Sequence, residues 1–141
     1  MNLFKAFTTD PKLEEEGRWV TIGGTDEAPT ELLLARTGTR RYNAVMAQQY
    51  EAHRTLLDSK DTVAANAKVE QMVQHALAAC VLLGWKNVED DNGDPLAYSY
   101  DNAKRLLAMR DFREIVTKEA DKFQMYKKEQ MEIDAKNLKP A

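Results

Sequence analysis

The sequence predicts a mainly α fold: a small helical bundle of about four helices, with an N-terminal β-hairpin and a short hairpin-like connector. From Arg40 onward, apolar residues recur at spacings of three and four, which is the period of an amphipathic helix. Before that point, β-prone runs are separated by glycines and a proline, which is typical of paired strands. The length of 141 residues fits one domain. We expect a loop and hairpin segment at 1–38, the helical bundle at 39–136 and a tail at 137–141.

The first segment contains two predicted strands, Arg18 to Ile22 and Glu31 to Arg36. A long polar connection that includes Gly23, Gly24 and Pro29 joins them. An isolated hairpin is only marginally stable in water, so we expect this one to lie on the helices.

Two helices are predicted next. The first has its apolar face between Tyr42 and Leu57, and the second, capped by Asp61, has its apolar face between Val63 and Val81. Gly84 is a natural stop for this second helix. Its many alanines permit close helix approach, which predicts that it is the central element of the core. The single cysteine, Cys80, lies in the same apolar run and is expected to be a buried structural residue.

The stretch GWKNVEDDNGDPLAYS, at 84–99, resembles a calcium-binding loop at first sight. If its glycine were the invariant one of such a loop, the first ligand would fall on Val88 and the closing glutamate on Ser99. Two essential ligands are therefore missing. The Asn-Gly pair at 92–93 instead favours a tight turn, flanked by Val88 and Leu96 as short strand positions.

Two more helices complete the predicted bundle. Ser99 is placed to cap a short helix that extends to Met109. Asp111 and Glu114 then have the spacing of a capping box, which predicts the start of a long final helix bearing Phe112 to Tyr126.

No catalytic residue, metal site or cofactor site is predicted, so we do not expect an enzyme. The two histidines, His53 and His75, belong to no metal-binding pattern and are expected to be half-buried side chains with a bonded ring nitrogen. Ser59 and Ser99 lie outside any GxSxG setting, and the glycine pair before the second strand precedes no helix. The acidic pairs have the pattern of solvated turns.

Charge and hydropathy restrict the class of partner. The formal net charge of -3 provides no field that attracts nucleic acid or an anionic membrane. Arg36, Arg40 and Arg41 offer possible phosphate contacts, but the acidic balance favours a surface ion-pair site. No apolar run has the length of a signal peptide or a membrane span, which predicts a cytoplasmic protein.

The predicted final helix is the candidate partner-binding element. Its residues Phe123, Met125, Tyr126 and Met131 do not share one helical face, and apolar groups on two sides indicate an adaptable surface for another helix. The alternative is an ordinary frayed terminal helix with exposed methionines.

Two blocks of the chain resemble a known family. The first is LEEEGRWV with TELLLARTGTRRYN, and the second is VLLGWKNVEDDNGDPLAYSYDNAKRLL, followed by an Asp-Phe-Arg helix. In pattern and order they resemble the tail assembly chaperones of long-tailed, siphovirus-type bacteriophages. The resemblance implies a protein that binds the helical tape measure protein and keeps it soluble in the host cytoplasm until tube subunits polymerise, and that is absent from the mature virion. It also implies a longer form, made by ribosomal frameshifting, that contacts the tail tube protein.

Two other functions stay open at this point. A small helical domain also suits a head-tail connector or completion protein that is retained in the particle. The arginines at the start of the first helix leave a nucleic-acid-binding regulator as a third reading. A homo-oligomer is possible in each case.

Overall fold

The structure is a computed structural model that describes residues 1–127. Within these residues the helices are α1 (Leu3–Phe7), α2 (Pro11–Glu16), α3 (Arg40–Ala52), α4 (Arg54–Leu57), α5 (Thr62–Cys80), α6 (Tyr100–Leu107) and α7 (Arg110–Ala120). The strands are β1 (Arg18–Gly24), β2 (Pro29–Leu34) and β3 (Leu82–Lys86). A short 3-10 helix, Phe123–Tyr126, follows α7.

The three strands form one antiparallel sheet in the order β1-β2-β3. The fold is therefore mixed α/β, and the predicted mainly α bundle of about four helices is wrong. The error lies at the end of α5, which was predicted to run towards Gly84 but ends at Cys80. The next residues pair with β2, so that Leu32 lies opposite Trp85 and Leu33 opposite Gly84. This third strand makes β2 the central strand of the sheet.

The sheet is part of the core and not an appendage. On its inner face, Leu32 and Leu34 of β2 are fully buried. They belong to one cluster with Val81, which lies between α5 and β3, and with buried residues of α5, β3, α6 and α7, including Leu77, Leu82, Leu107 and Val116. Burying a leucine side chain contributes roughly 1.5–3 kcal/mol, so β2 is expected to be a main contributor to stability.

The other face of the sheet carries a row of three residues. Trp19 lies opposite Leu33, which lies opposite Gly84. The indole lies beside Gly84, and a Cβ at this glycine would lie 3.8 Å from the Trp19 Cη2 atom, an ordinary van der Waals distance. Lys86 Nζ lies 4.1 Å from the centre of the Trp19 ring.

The predicted caps of two helices are confirmed. Asp61 Oδ1 accepts a hydrogen bond from the Ala64 amide at 3.0 Å, and Ser99 Oγ accepts one from the Asn102 amide at 3.0 Å. The first predicted helix begins at Arg40 as expected, but it ends at Ala52 and α4 follows separately.

The final helix differs from its prediction at both ends. It begins at Arg110 with no side-chain cap, and Glu114 pairs with Arg110 at 3.2 Å, so the predicted capping box is wrong. It ends at Ala120 and does not extend to Tyr126. The predicted tail at 137–141 lies outside the described residues.

Two short helices, α1 and α2, occupy a region that was predicted as loop and strand. Asn2 caps α1 by accepting from the Lys5 amide at 3.1 Å. Asp10 caps α2, and Pro11 occupies its first turn, where the missing N–H is not needed. Within residues 1–127, no helix has the length and apolar character that a membrane span requires.

Candidate functional site

The structure describes three of the four residues that were predicted to bind a partner, and these three lie in the 3-10 helix after α7. Tyr126 is fully buried, and its hydroxyl donates a hydrogen bond to the Leu34 carbonyl at 3.0 Å. Phe123 and Met125 are half-buried. Met131 lies outside the described residues. No single exposed helical face is therefore formed by Phe123, Met125 and Tyr126. Of these three, Tyr126 is inaccessible to a partner.

The segment 121–127 is fixed to the first residues of the chain. The Asp10 amide donates to the Tyr126 carbonyl at 2.9 Å, and the Arg18 guanidinium donates to the Met125 carbonyl. Thr9 and Lys127 form an isolated antiparallel bridge. These contacts explain why helix α7 ends early: the chain leaves the helix and brings the Tyr126 ring to β2.

Burial also changes the acidity of this tyrosine. Desolvation raises the pKa of Tyr126 to about 12, although Arg18 and Arg36 act in the opposite direction. Arg36 in turn forms an ion pair with Glu14, with 3.6 Å between the guanidinium and carboxylate atoms. The buried hydroxyl is therefore neutral at all ordinary pH values.

An exposed apolar surface lies beside this segment. We call it the α1 patch: Leu3, Phe4 and Phe7 of α1, together with Phe123. The exposed fractions of the three α1 residues are 58%, 89% and 58%, and no residue of α1 is buried. The Phe7 and Phe123 rings stack with their centroids 5.2 Å apart. Scattered exposed apolar residues need no explanation, but a contiguous group of this kind is typical of an interaction surface.

Three side chains of chemically active types, His75, Cys80 and Arg41, are engaged in structural contacts or buried. His75 Nδ1 lies 2.5 Å from the Tyr100 hydroxyl, and Cys80 is buried, which raises the pKa of its thiol. Arg41 donates to the Ala79 carbonyl at 3.1 Å. In the part of the chain that the structure describes, no group of three or more His, Cys, Asp or Glu side chains is arranged to hold a metal ion.

A second surface feature is a cleft beside the acidic turn, which we call the connector cleft. Its volume is about 730 Å³. One wall is the β1–β2 turn and the other is the connector that follows β3. The lining residues are Gly24, Thr25, Ala28, Thr30, Trp85, Asn87, Val88, Glu89, Pro95, Leu96, Ala97 and Tyr98.

The connector itself is the tight turn that the sequence predicted. The Leu96 amide donates to the Val88 carbonyl at 2.8 Å, so the two predicted strand positions are paired. The Asp90 side chain accepts from two amides of the turn, at residues 92 and 94. Only Gly93 of the Asn-Gly pair has a positive φ, at 80°, so the turn is not the type with two positive φ angles.

A sequence profile of the YdaY prophage protein family matches residues 37–137, which is more than two thirds of the chain. The chain belongs to the YdaY prophage protein family. The predicted phage origin is thereby confirmed at the level of a prophage protein. No curated protein and no solved structure matches the chain.

The matched region of this YdaY-family protein begins after β2 and includes α3 to α7, β3 and the connector. Two strands and the α1 residues of the α1 patch precede it. Sequence reasoning missed the α1 patch because it treated the first residues as loop. The available signal was Asn2 before LFKAF, a helix cap followed by apolar residues at helical spacing.

Proposed function

We propose that this YdaY-family protein is a tail assembly chaperone. It binds the tape measure protein, keeps it soluble while the tail tube assembles in the host cytoplasm, and leaves before the particle is complete. The single observation that carries the proposal is the α1 patch, an exposed apolar surface on a prophage protein. No catalytic step is part of this function.

The size of the α1 patch suits reversible binding. A phenylalanine side chain covers about 200 Å², so the exposed fractions of Leu3, Phe4 and Phe7 amount to on the order of 400 Å². Covering that area at about 25 cal/mol per Å² gives roughly 10 kcal/mol before the cost of association. Association itself costs about 4–15 kcal/mol, so this surface alone gives weak binding and ready release.

The shape of the α1 patch suits a helical client. Its three α1 side chains lie on one short helix, which is the arrangement that packs against the apolar face of another helix. In the family that the sequence resembles, the client is a long helical protein. Such a client exposes apolar stripes that aggregate before the tube encloses them.

Coexpression with a tape measure fragment from the same prophage tests the proposal. We expect the wild-type chain to keep the fragment in the soluble fraction. The double variant Leu3→Ser/Phe4→Ser should lose at least half of this effect, because it removes the most exposed part of the α1 patch without touching the Phe7–Phe123 stack. Val63→Ser is the matched control, since Val63 is 80% exposed at the start of α5.

Two results would contradict the proposal. One is a fragment that precipitates equally with and without the wild-type chain. The other is the chain itself in purified virions, detected by mass spectrometry at a stoichiometry near that of known structural proteins.

A further inference from the structure

We propose that the connector cleft binds a protein segment in which an apolar side chain is flanked by lysine or arginine. This is a second binding surface, separate from the α1 patch, and it does not depend on the proposed function. It also gives a role to the acidic turn at 84–99.

The cleft has an apolar wall whose polar atoms are already bonded. Trp85 Nε1 donates to the Leu96 carbonyl at 2.7 Å, and the Tyr98 hydroxyl donates to the Leu82 carbonyl at 2.7 Å. The two rings meet edge to face with centroids 5.0 Å apart. Because their donors are engaged, the rings and the adjacent Leu96 offer apolar contact to an occupant. A volume of about 730 Å³ is large enough for one bulky side chain with its backbone.

The two walls are connected, so the cleft is preformed. Asn87 has a left-handed backbone with φ 57°, and its side-chain amide donates to the Pro29 carbonyl at 2.8 Å. Thr30 Oγ1 donates back to the Asn87 carbonyl at 2.9 Å. These contacts attach the β1–β2 turn to the connector and limit the ordering cost of binding.

Acidic residues occur in both segments that form the cleft. Glu89 lines it directly, Asp26 and Glu27 lie in sequence between the lining residues Thr25 and Ala28, and Asp91 and Asp94 lie in sequence between the lining residues Glu89 and Pro95. Among residues 1–127, none of these five carboxylates takes part in an ion pair. The nearest basic residue in sequence, Lys86, lies over Trp19 on the other face of the sheet.

This combination selects the class of occupant. The apolar wall of the cleft accepts an apolar side chain or the aliphatic stem of a lysine or arginine. The carboxylates in the two segments that form the cleft attract the lysine or arginine side chains that flank it. The same carboxylates repel phosphate groups, which excludes nucleic acid and an anionic lipid surface as occupants.

Tryptophan fluorescence can test the inference, because the chain has two tryptophans. Trp19→Phe removes the one on the outer face of the sheet and leaves Trp85 in the cleft as the only reporter. The probes are two synthetic peptides, GKKFLKKG and GEEFLEEG, with both termini blocked. We expect a saturable change in Trp85 emission with the basic peptide and none with the acidic one.

Two variants assign the binding to the cleft. Ala28→Phe narrows the cleft at an exposed lining position, and it should abolish the response. Glu27→Gln/Glu89→Gln should weaken binding by about threefold to tenfold, the amount expected from two exposed charge pairs. The control Glu15→Gln/Glu16→Gln makes the same change in net charge on α2, at the opposite end of β1, and should leave the affinity unchanged.

The inference is overturned if both peptides bind equally, if neither binds, or if Ala28→Phe has no effect. A change in Trp85 emission that depends on protein concentration alone also overturns it, because the occupant is then a second copy of the chain. Calorimetric titration of the wild-type chain, which keeps Trp19, must also show tighter binding of the basic peptide than of the acidic one. Leu3→Ser/Phe4→Ser should retain peptide binding, so failure here and failure of the proposed function can be distinguished.

Discussion

Replacing Tyr126 with phenylalanine tests whether the segment after α7 docks on the sheet as described. The substitution keeps the buried ring and removes only the hydroxyl, which donates to the Leu34 carbonyl at 3.0 Å. A typical hydrogen bond contributes about 0.5–1.5 kcal/mol, and a buried acceptor left unpaired costs about 1–3 kcal/mol. We therefore expect Tyr126→Phe to lower the free energy of unfolding by about 1–2 kcal/mol.

The measurement is urea denaturation followed by circular dichroism at pH 7. Tyr50→Phe is the control, because Tyr50 is 49% exposed and such surface changes usually stay within about 0.5 kcal/mol. In a thermal scan, the loss at Tyr126 corresponds to a decrease in Tm of roughly 3–6 °C for a chain of this size.

The same variant has a second, pH-dependent readout. The pKa of Tyr126 is raised to about 12 in the folded state, while an unfolded tyrosine titrates near about 10. A raised pKa means that the neutral form stabilises the fold. This contribution is complete below about pH 10 and is lost as the pH rises towards 12. Two pH units correspond to roughly 2–3 kcal/mol.

We expect the free energy of unfolding of the wild-type chain to fall by this amount between about pH 10 and 12 because of Tyr126. Over the same range, the fall for Tyr126→Phe should be smaller by that amount. Groups that titrate in the same range are common to both chains and cancel in the difference. If the variant matches the wild type in both urea midpoint and alkaline profile, the hydroxyl is not buried against Leu34 and the described docking is wrong.

Two further pairs of substitutions test the packing of the sheet. Leu34→Ala should cost about 2–5 kcal/mol because it leaves a cavity in the core, whereas Leu33→Ala, on the partly exposed outer face, should cost about 1 kcal/mol or less. Equal losses in urea denaturation would mean that the inner face of β2 is not part of the core. Gly17→Ala should lower the free energy of unfolding by about 3 kcal/mol or more, because φ is 85° and the new Cβ would lie 2.9 Å from the Leu34 carbonyl group. Gly38→Ala, where φ is 74° but the surrounding space is open, should lower it by only about 1 kcal/mol. Similar unfolding free energies for the two glycine variants would contradict this packing.

Local signals allowed several elements to be predicted from the sequence. The strand pair, the start of α3, the Asp61 cap and the Ser99 cap follow from turn residues, helical period and capping side chains. These features depend on residues a few positions apart. The turn at Val88 and Leu96 was predicted for the same reason.

The missed elements depend on contacts between distant residues. Strand β3 continues the apolar run of α5, and a short apolar run does not reveal whether it is helix or strand until its pairing with β2 is known. Phe123 and Tyr126 continue the helical spacing of α7, so the sequence predicts one long helix. Burial of Tyr126 against Leu34, 92 residues away in the chain, overrides that local preference.

The candidate sites show the same limit. The predicted surface at Phe123, Met125, Tyr126 and Met131 assumed a continuous exposed helix, which the described residues do not form. The α1 patch and the connector cleft each combine residues from separate parts of the chain, α1 with Phe123 in one case and the β1–β2 turn with the connector in the other. The sequence predicted the acidic turn beside the connector cleft but not the cleft. The apolar wall of the cleft depends on the position of β3, which the sequence did not predict.

Light scattering by a tape measure fragment, diluted from denaturant, tests the chaperone proposal most directly. With an equimolar amount of the wild-type chain, we predict that the scattering is suppressed, and that Leu3→Ser/Phe4→Ser restores it while Val63→Ser does not. Suppression that is equal for all three chains, or absent with the wild type, would contradict a chaperone that acts through the exposed apolar residues of α1.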